Sequence, residues 1–134
     1  MVQLPGLNTP QFTWVRTTLR KQPQPVAPIF QPELAAQGIV VAADKPQREL
    51  WVGGSTVITI LGNKLAPWFA DWYLARSNVK AQQTDQPLDP SRPDYLYDPL
   101  DDTEDRGAHG PFDDQAKPRS LQFALVKLAR RIFP

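Results

Sequence analysis

The sequence predicts an α/β fold, on the evidence of one helix–turn–strand unit and one short strand upstream of it. Pro32 suits the first turn of a helix, and Glu33 favours the positive end of the helix dipole. An apolar stripe at helical spacing follows, formed by Leu34, Ala35, Ile39, Ala42 and Ala43. Pro46 ends the helix, because the residue before a proline avoids the α region. The run at 50–52, Leu-Trp-Val, closed by the glycines at 53–54, is typical of a buried strand that leaves its sheet.

This unit needs a parallel partner strand, and the upstream candidate is the run at 1–4, Met-Val-Gln-Leu. If residues 1–4 and 49–52 are neighbours, the connection between them is a crossover, which is expected to be right-handed. Ligands in such sheets bind at the carboxyl ends of the strands. The loop at 5–9, Pro-Gly-Leu-Asn-Thr, is therefore expected to lie at a ligand site.

Composition bounds the possible functions. The 134 residues suffice for one domain, and the net charge of +1 gives no general attraction to nucleic acid. No cysteine and a single histidine argue against a disulfide framework or a zinc site. Neither a signal peptide nor an apolar run long enough to span a bilayer is recognisable, so we expect a soluble, cytoplasmic protein. The 15 prolines lie mostly outside the helix–strand unit, which suggests that only part of the chain is compact.

Two further segments are predicted around that unit. A short helix is expected at about 10–19, followed by an extended, proline-containing linker at 22–29. Residues 55–77 predict a helix that is broken or kinked near the Gly-Asn pair at 62–63 and at Pro67. Its second half is apolar and aromatic on nearly every side. We expect it to pack against a sheet or a sister subunit, and the alternative is a helix at a membrane interface or a substrate tunnel.

The carboxyl-terminal part of the chain changes character. Residues 78–117 are rich in Pro, Asp and Gln, which predicts an extended or disordered tail. The carboxylate pairs at 101–102 and 113–114 have no histidine at ligand spacing, so we interpret them as solvated charge, and His109 as a surface residue. Residues 118–134 then contain an amphipathic helix at 120–133. Its apolar stripe is formed by Leu121, Leu125, Leu128, Ala129 and Ile132. We expect this helix to dock on its own protein, with an anionic membrane surface as the alternative.

Three motifs together resemble a known family. The motifs are LPGLNTP at 4–10, Pro-Glu-x-x-Ala at 32–36 and RELWVGG at 48–54. They resemble the carboxyl-terminal part of short-chain dehydrogenases/reductases, and the stretch at 45–67 is similar to a subgroup with a long acidic, proline-rich tail. The resemblance covers nearly the whole chain and is strongest from residue 4 to residue 67. It implies the last two strands, with their crossover helix, of a Rossmann-type doubly wound parallel sheet at 1–77, followed by the tail.

The resemblance also implies a cofactor, NAD or NADP in the complete parent protein. In the family, the loop after the sixth strand meets the nicotinamide end through its backbone and a threonine. The matching positions are Pro5, Gly6, Leu7 and Thr9. The family places three residues between the glycine and the threonine, whereas this chain has two, which weakens the correspondence for individual backbone contacts.

Two family motifs are absent from the 134 residues: the glycine-rich phosphate loop, Thr-Gly-x-x-x-Gly-x-Gly, and the catalytic Tyr-x-x-x-Lys. Both lie upstream of the Pro-Gly loop in the family. We therefore expect the chain to be the last third of such an enzyme, without catalytic residues and inactive alone. The parent would act on a small carbonyl or alcohol as a homo-oligomer. The alternative is a non-enzymatic module that binds a protein or a membrane through the helices at 55–77 and 120–133.

Overall fold

A computed structural model describes residues 1–100, 102 and 104–132. Asp101 of the predicted carboxylate pair at 101–102 and Phe133 of the predicted last helix therefore lie outside the described residues. The fold is mixed α/β, with short parallel strand pairs and four α-helices. The strands are β1 (Val2–Gln3), β2 (Gly6–Leu7), β3 (Lys21–Pro23), β4 (Ile29–Phe30), β5 (Leu50–Trp51) and β6 (Gln83–Pro87). The helices are α1 (Pro32–Asp44), α2 (Gly54–Leu65), α3 (Pro67–Ala81) and α4 (Leu121–Ile132), with a 3₁₀ helix at Pro10–Thr13.

The parallel pairing predicted from the sequence is confirmed. Val2 lies opposite Leu50 in a parallel pair of β1 and β5. The amide of Leu50 donates to the carbonyl of Met1 over 2.9 Å, and the amide of Val52 donates to that of Gln3 over 3.0 Å. Helix α1 also has nearly its predicted bounds. Because β1 and β5 are parallel, their carboxyl ends meet at one edge of the pair.

The described residues form three separate two-stranded sheets. β2 pairs in parallel with β4, and β3 pairs antiparallel with β6. One doubly wound sheet is therefore not present within this part of the chain. Strand β6 lies inside the segment predicted as an extended or disordered tail, and α3 runs into that segment as far as Ala81. The domain boundaries after residues 77 and 117 remain predictions.

The helix predicted at about 10–19 is wrong beyond its first turn, because only Pro10–Thr13 is helical. Two side chains explain the early end. The backbone amide of Leu19 donates to the hydroxyl oxygen of Thr17 over 3.1 Å. Such a local hydrogen bond from backbone to side chain competes with the hydrogen bonds of a helix. The guanidinium of Arg92 donates to the carbonyls of Phe12, Thr13 and Val15, which removes acceptors that a continuing helix would use.

The core gathers at the α1 side of the β1–β5 pair. Its buried members are Phe30, Leu34, Leu50, Val52 and Phe123. Helix α1 approaches β5 closely at Gly38, where an added Cβ would lie 2.7 Å from Cγ2 of Val52. The small residue is therefore required by the packing of α1 on the strand.

Helices α2 and α3 meet at Ala66, and Pro67 starts the second of them, so the predicted break occurs at the proline and not at the Gly-Asn pair. No residue of α3 is buried. Its large side chains are at least 46% exposed: Trp68, Phe69, Trp72, Tyr73 and Leu74. None of the helices in the described part of the chain is long and apolar enough to cross a bilayer.

The last helix docks on the core, as expected, but with an unexpected face. Phe123 of α4 is only 1% exposed and completes the core cluster, with Val126 packed beside it. Gln122 anchors the helix to the end of β5, because its side chain accepts from the amide of Gly53 over 2.9 Å and donates to the carbonyl of Trp51 over 3.2 Å. The predicted apolar stripe faces away from the core and is exposed.

Candidate functional site at the Pro5–Gly6 loop

The loop after β1 and the glycine turn after β5 lie side by side. A Cβ on Gly53 would be 3.1 Å from Cγ of Pro5, so the two turns are in van der Waals contact. Gly53 has φ of 92°, a left-handed conformation that favours glycine. The parallel register of β1 and β5 thus brings the two turns together, and the first turn of α2, which begins at Gly54, faces the Pro5–Gly6 loop.

Gly6 is required by a close backbone approach. An added Cβ would lie 2.6 Å from the carbonyl oxygen of Val26, well inside van der Waals contact. The parallel pairing of Gly6 with Ile29 produces this approach, because it draws the linker before β4 against the loop. Glycine at this position therefore has a packing reason that does not depend on any ligand.

A cavity of about 280 Å³ opens beside these turns. On one side it is bounded by Pro5, Gly6 and Val26, and on the other by the first turns of α2. The helix residues that line it are Ser55, Thr56, Thr59 and Ile60. The hydroxyl of Thr56 already donates a hydrogen bond to the carbonyl of Val52 over 2.7 Å. The hydroxyl oxygen of Ser55 is buried without a hydrogen-bond partner in the described residues. The cavity is therefore lined by backbone groups, Gln3 and the hydroxyl-bearing Thr59, and by no ionisable side chain.

The four residues predicted to contact a cofactor do not all reach this cavity. Pro5 and Gly6 line it, but Leu7 packs against the hydrophobic core. Thr9 lies at the opposite end of the loop, where a Cβ on Gly110 would be 2.3 Å from the carbonyl oxygen of Thr9. The chain at 109–113 covers that end of the loop. The structure thus separates Pro5 and Gly6 from Leu7 and Thr9.

Asn8, which the sequence reasoning passed over, is the best-connected residue of the loop. It is fully buried, and its backbone amide donates to the carbonyl of Phe30 over 2.8 Å. Its side-chain amide donates to Asp113 over 2.8 Å and to Gln31 over 3.1 Å. Its side-chain oxygen accepts from the amide of Phe112 over 3.0 Å. Asn8 therefore joins the loop to the start of α1 and to the tail, and its position within the predicted ligand loop was the only sequence signal of it.

His109 belongs to the same cluster. Its Nε2 lies 2.6 Å from a carboxylate oxygen of Glu33, and its Nδ1 lies 3.1 Å from Asp113. The side chain is 43% exposed, so the prediction of a surface histidine holds, but it is paired on both nitrogens. Within the described residues no cluster of histidine and carboxylate groups is arranged to hold a metal ion. The contacts instead connect the tail to the start of α1.

These contacts shift the pKa values of His109, Glu33 and Asp113. The hydrogen bond to Glu33, followed by that to Asp113, raises the pKa of His109, because both carboxylates favour the imidazolium. The hydrogen bond to His109 lowers the pKa of Glu33. Hydrogen bonds from Gln31 and then His109 lower the pKa of Asp113. The cluster is therefore a charged link between α1 and the tail.

The chain is 28% identical over 107 residues to a protein of Bacillus subtilis (strain 168) named "Uncharacterized oxidoreductase YxnA". The similarity covers 78% of this chain and 30% of that protein, so the chain spans about a third of the length of its relative. No protein-family model matches the chain, and no solved structure matches it significantly.

Proposed function

We propose that this chain supplies the carboxyl-terminal part of an NAD(P)-dependent oxidoreductase of the short-chain dehydrogenase/reductase type. The observation that supports this most directly is the parallel register of Val2 with Leu50, because it brings the Pro5–Gly6 loop and the Gly53 turn to one edge beside an open cavity. Ligands of open α/β sheets bind at that edge. The similarity to a protein named as an oxidoreductase points in the same direction.

The cavity suits one end of a dinucleotide. Its volume of about 280 Å³ is at or below the lower limit for pockets that enclose a small molecule, and a whole dinucleotide is larger. We infer that the nicotinamide end would lie against Pro5 and Gly6, with Thr59 offering a hydroxyl group. Leu7 and Thr9 would hold the loop in place from the core and from the tail. A hydride transferred to or from a small carbonyl or alcohol is the chemistry that the bound cofactor would supply.

Two parts of the reaction would come from other residues of the parent protein. Pyrophosphate binding in such folds depends on a glycine-rich turn at a helix N-terminus, and no such motif occurs in these 134 residues. A tyrosine with a lysine four residues later, the proton donor of the family, is also absent from the sequence. We therefore assign this chain a positioning role beside the nicotinamide and no catalytic residue.

The test compares cofactor binding with and without the upstream coding sequence. Calorimetric titration of the 134-residue chain with NADH and with NADPH should show no binding. A longer polypeptide that continues in frame upstream of Met1 should bind one of the two and oxidise it in the presence of a carbonyl substrate. Micromolar binding of either cofactor by the chain alone would contradict the assignment.

A pair of substitutions locates the cofactor. Ile60 lines the cavity, whereas Ile58 on the same helix is 73% exposed. In the longer polypeptide, Ile60→Trp should fill the cavity and weaken cofactor binding, and Ile58→Trp should leave it unchanged. Equal affinities in the two variants, with matched thermal stability, would show that the nicotinamide end lies elsewhere.

A second candidate function is protein binding without catalysis. The exposed aromatic side chains of α3 favour it, because soluble proteins seldom leave so many large apolar groups in water without a partner. Within the oxidoreductase proposal the same surface would be the contact between subunits of a homo-oligomer. A stable complex of this chain with an unrelated protein, without any cofactor binding by the longer polypeptide, would favour the second candidate.

A further inference from the structure

Helix α4 has two apolar faces, and only one of them is used in the fold. The inner face carries Phe123 and Val126 and completes the core. The outer face carries four large aliphatic side chains at i, i+4, i+7 and i+11, which places them along one side of the helix. Their exposed fractions are 79% for Leu121, 57% for Leu125, 52% for Leu128 and 61% for Ile132. A continuous apolar stripe therefore faces outward along the whole helix.

Basic side chains extend from the edge of this stripe, at Arg131, round to the side of α4 that faces α1, where Lys127 contacts Gln37 and Arg130 contacts Val41. Lys127, Arg130 and Arg131 of α4, with Lys45 at the end of α1, line a groove of about 390 Å³ together with Val41 and Asp44. Their hydrogen-bond partners among the described residues are neutral. The ammonium of Lys127 donates to the side-chain oxygen of Gln37 over 2.9 Å, and the guanidinium of Arg130 donates to the side-chain oxygen of Gln47. Within the described residues none of these four cations is in an ion pair, so their charge is available to an external anion.

An apolar stripe on one side of a helix, with cations on its polar side, is the arrangement of a helix that lies in the plane of a membrane interface. The apolar side chains enter the boundary between headgroups and acyl chains, and the cations contact anionic headgroups. We propose that the outer face of α4 binds the surface of a bilayer that contains anionic lipid. This inference concerns a surface remote in sequence from the Pro5–Gly6 loop, and it does not depend on the proposed oxidoreductase role.

Charge favours a lipid surface over a second copy of the chain as the occupant. A symmetric dimer through α4 would place the same patch of both subunits together and bring two sets of basic side chains close to each other. Like charges brought together in an interface oppose association, whereas an anionic bilayer attracts all of them. The side-chain partners of Lys127 and Arg130 are neutral, so they leave the positive charge of both residues uncompensated.

The test is co-sedimentation of the full chain with lipid vesicles. We expect binding to vesicles of phosphatidylcholine that contain phosphatidylserine, and at least about ten-fold weaker binding after the double substitution Leu125→Gln and Leu128→Gln, because each leucine loses its apolar burial. Replacing Lys45 and Arg131 by glutamine should weaken binding about five-fold for each cation and reduce its dependence on salt. The matched control is Ile39→Gln with Val40→Gln, which removes exposed apolar side chains from α1 and should leave binding unchanged.

Four outcomes would overturn the inference. The first is no binding to anionic vesicles. The second is equal binding to vesicles of pure phosphatidylcholine, which would remove any role for the cations. The third is an unchanged affinity in the Leu125→Gln, Leu128→Gln variant, whose fold is checked by its circular dichroism and thermal midpoint. If sedimentation velocity shows that this variant only converts a dimer to a monomer, the occupant is a second copy and not a lipid surface.

Discussion

Helices α1 and α3 differ in burial in the opposite sense to their aromatic content. Helix α1 has 13 residues and buries Leu34, Ala35 and Gly38. Helix α3 has 15 residues, carries two tryptophans, a phenylalanine and a tyrosine, and buries none of its residues. Its aromatic rings contact each other instead, with Phe69 stacked on Trp72 at 5.7 Å between centroids. The more aromatic helix is thus the more exposed one.

The difference shows that burial depends on available partners. Helix α1 is the crossover between β1 and β5, so its inner face lies against a strand pair, and Phe123 of α4 covers the same cluster. Helix α3 follows α2 directly and has no sheet beneath it in the described part of the chain. Large apolar side chains add stability to a fold only where a second surface removes them from water. Four predictions test this contrast.

The largest effect is expected at Phe123. Phe123→Ala should lower the free energy of unfolding by about 3–5 kcal/mol, because it leaves a cavity among side chains from β4, α1 and β5. Leu125→Ala, two residues along the same helix and 57% exposed, should change it by less than about 0.5 kcal/mol. Urea denaturation followed by circular dichroism measures both. Similar losses in the two variants would mean that α4 does not dock through Phe123.

A smaller loss is expected at Asn8. Asn8→Ala should lower the free energy of unfolding by about 1–3 kcal/mol, because the buried amide of Phe112 loses its acceptor. The control is Asn63→Ala on the exposed surface of α2, which should be close to neutral. Amide exchange at Phe112 gives an independent readout, and it should accelerate in the Asn8 variant alone. Unchanged protection there would contradict the role of Asn8 as the link between loop and tail.

The α3 aromatics should affect association and not folding. Phe69→Gln with Trp72→Gln should change the free energy of unfolding by less than about 0.5 kcal/mol, since neither ring is buried. The same variant should self-associate less than the unmodified chain, because each exposed aromatic side chain forgoes about 1.5–3 kcal/mol of burial that a partner would supply. Sedimentation velocity measures the association. A strictly monomeric unmodified chain would show that α3 is not a subunit contact.

The smallest effect concerns the pH dependence of the tail. His109 is the single histidine of the chain, so NMR reports its titration directly, and its pKa should exceed the ordinary value of 6.5. Because this pKa is raised, its stabilising contribution is complete below pH 6.5 and is lost as the pH rises through the folded value. Because the pKa values of Glu33 and Asp113 are lowered, their contributions are complete above their ordinary 4.5 and 3.8 and are lost as the pH falls through the folded values.

Protection of the tail should therefore be greatest between about pH 4.5 and 6.5. Limited proteolysis at several pH values is the measurement. His109→Gln should remove the decline above pH 6.5, and Asp113→Asn should lower the titration midpoint of His109. Asp114→Asn is the matched control one residue along and should leave that midpoint unchanged. A midpoint at or below 6.5 in the unmodified chain would show that the contacts with Glu33 and Asp113 do not persist in solution.

The sequence by itself determined the elements whose signals are local. Pro32 and Pro46 flank α1, Pro67 starts α3, and the apolar run ending at Val52 forms the strand that pairs in parallel with β1. It also placed the Pro5–Gly6 loop at the carboxyl end of the first strand, the edge at which the structure has the turn at Gly53. These features depend on backbone preferences and on the pairing of one strand with the only upstream candidate, and both are readable within short windows.

The tertiary structure decided which polar groups meet and which faces are covered. Asn8 and Phe112 are 104 residues apart, and His109 and Glu33 are 76 apart, so no local pattern indicates either contact. The apolar stripe of α4 was correct as a pattern, but Phe123 on the other face fills the space between Phe30, Leu34 and Val52. Periodicity identifies a face that can be buried, whereas the shape of the surface beneath the helix selects the face that is.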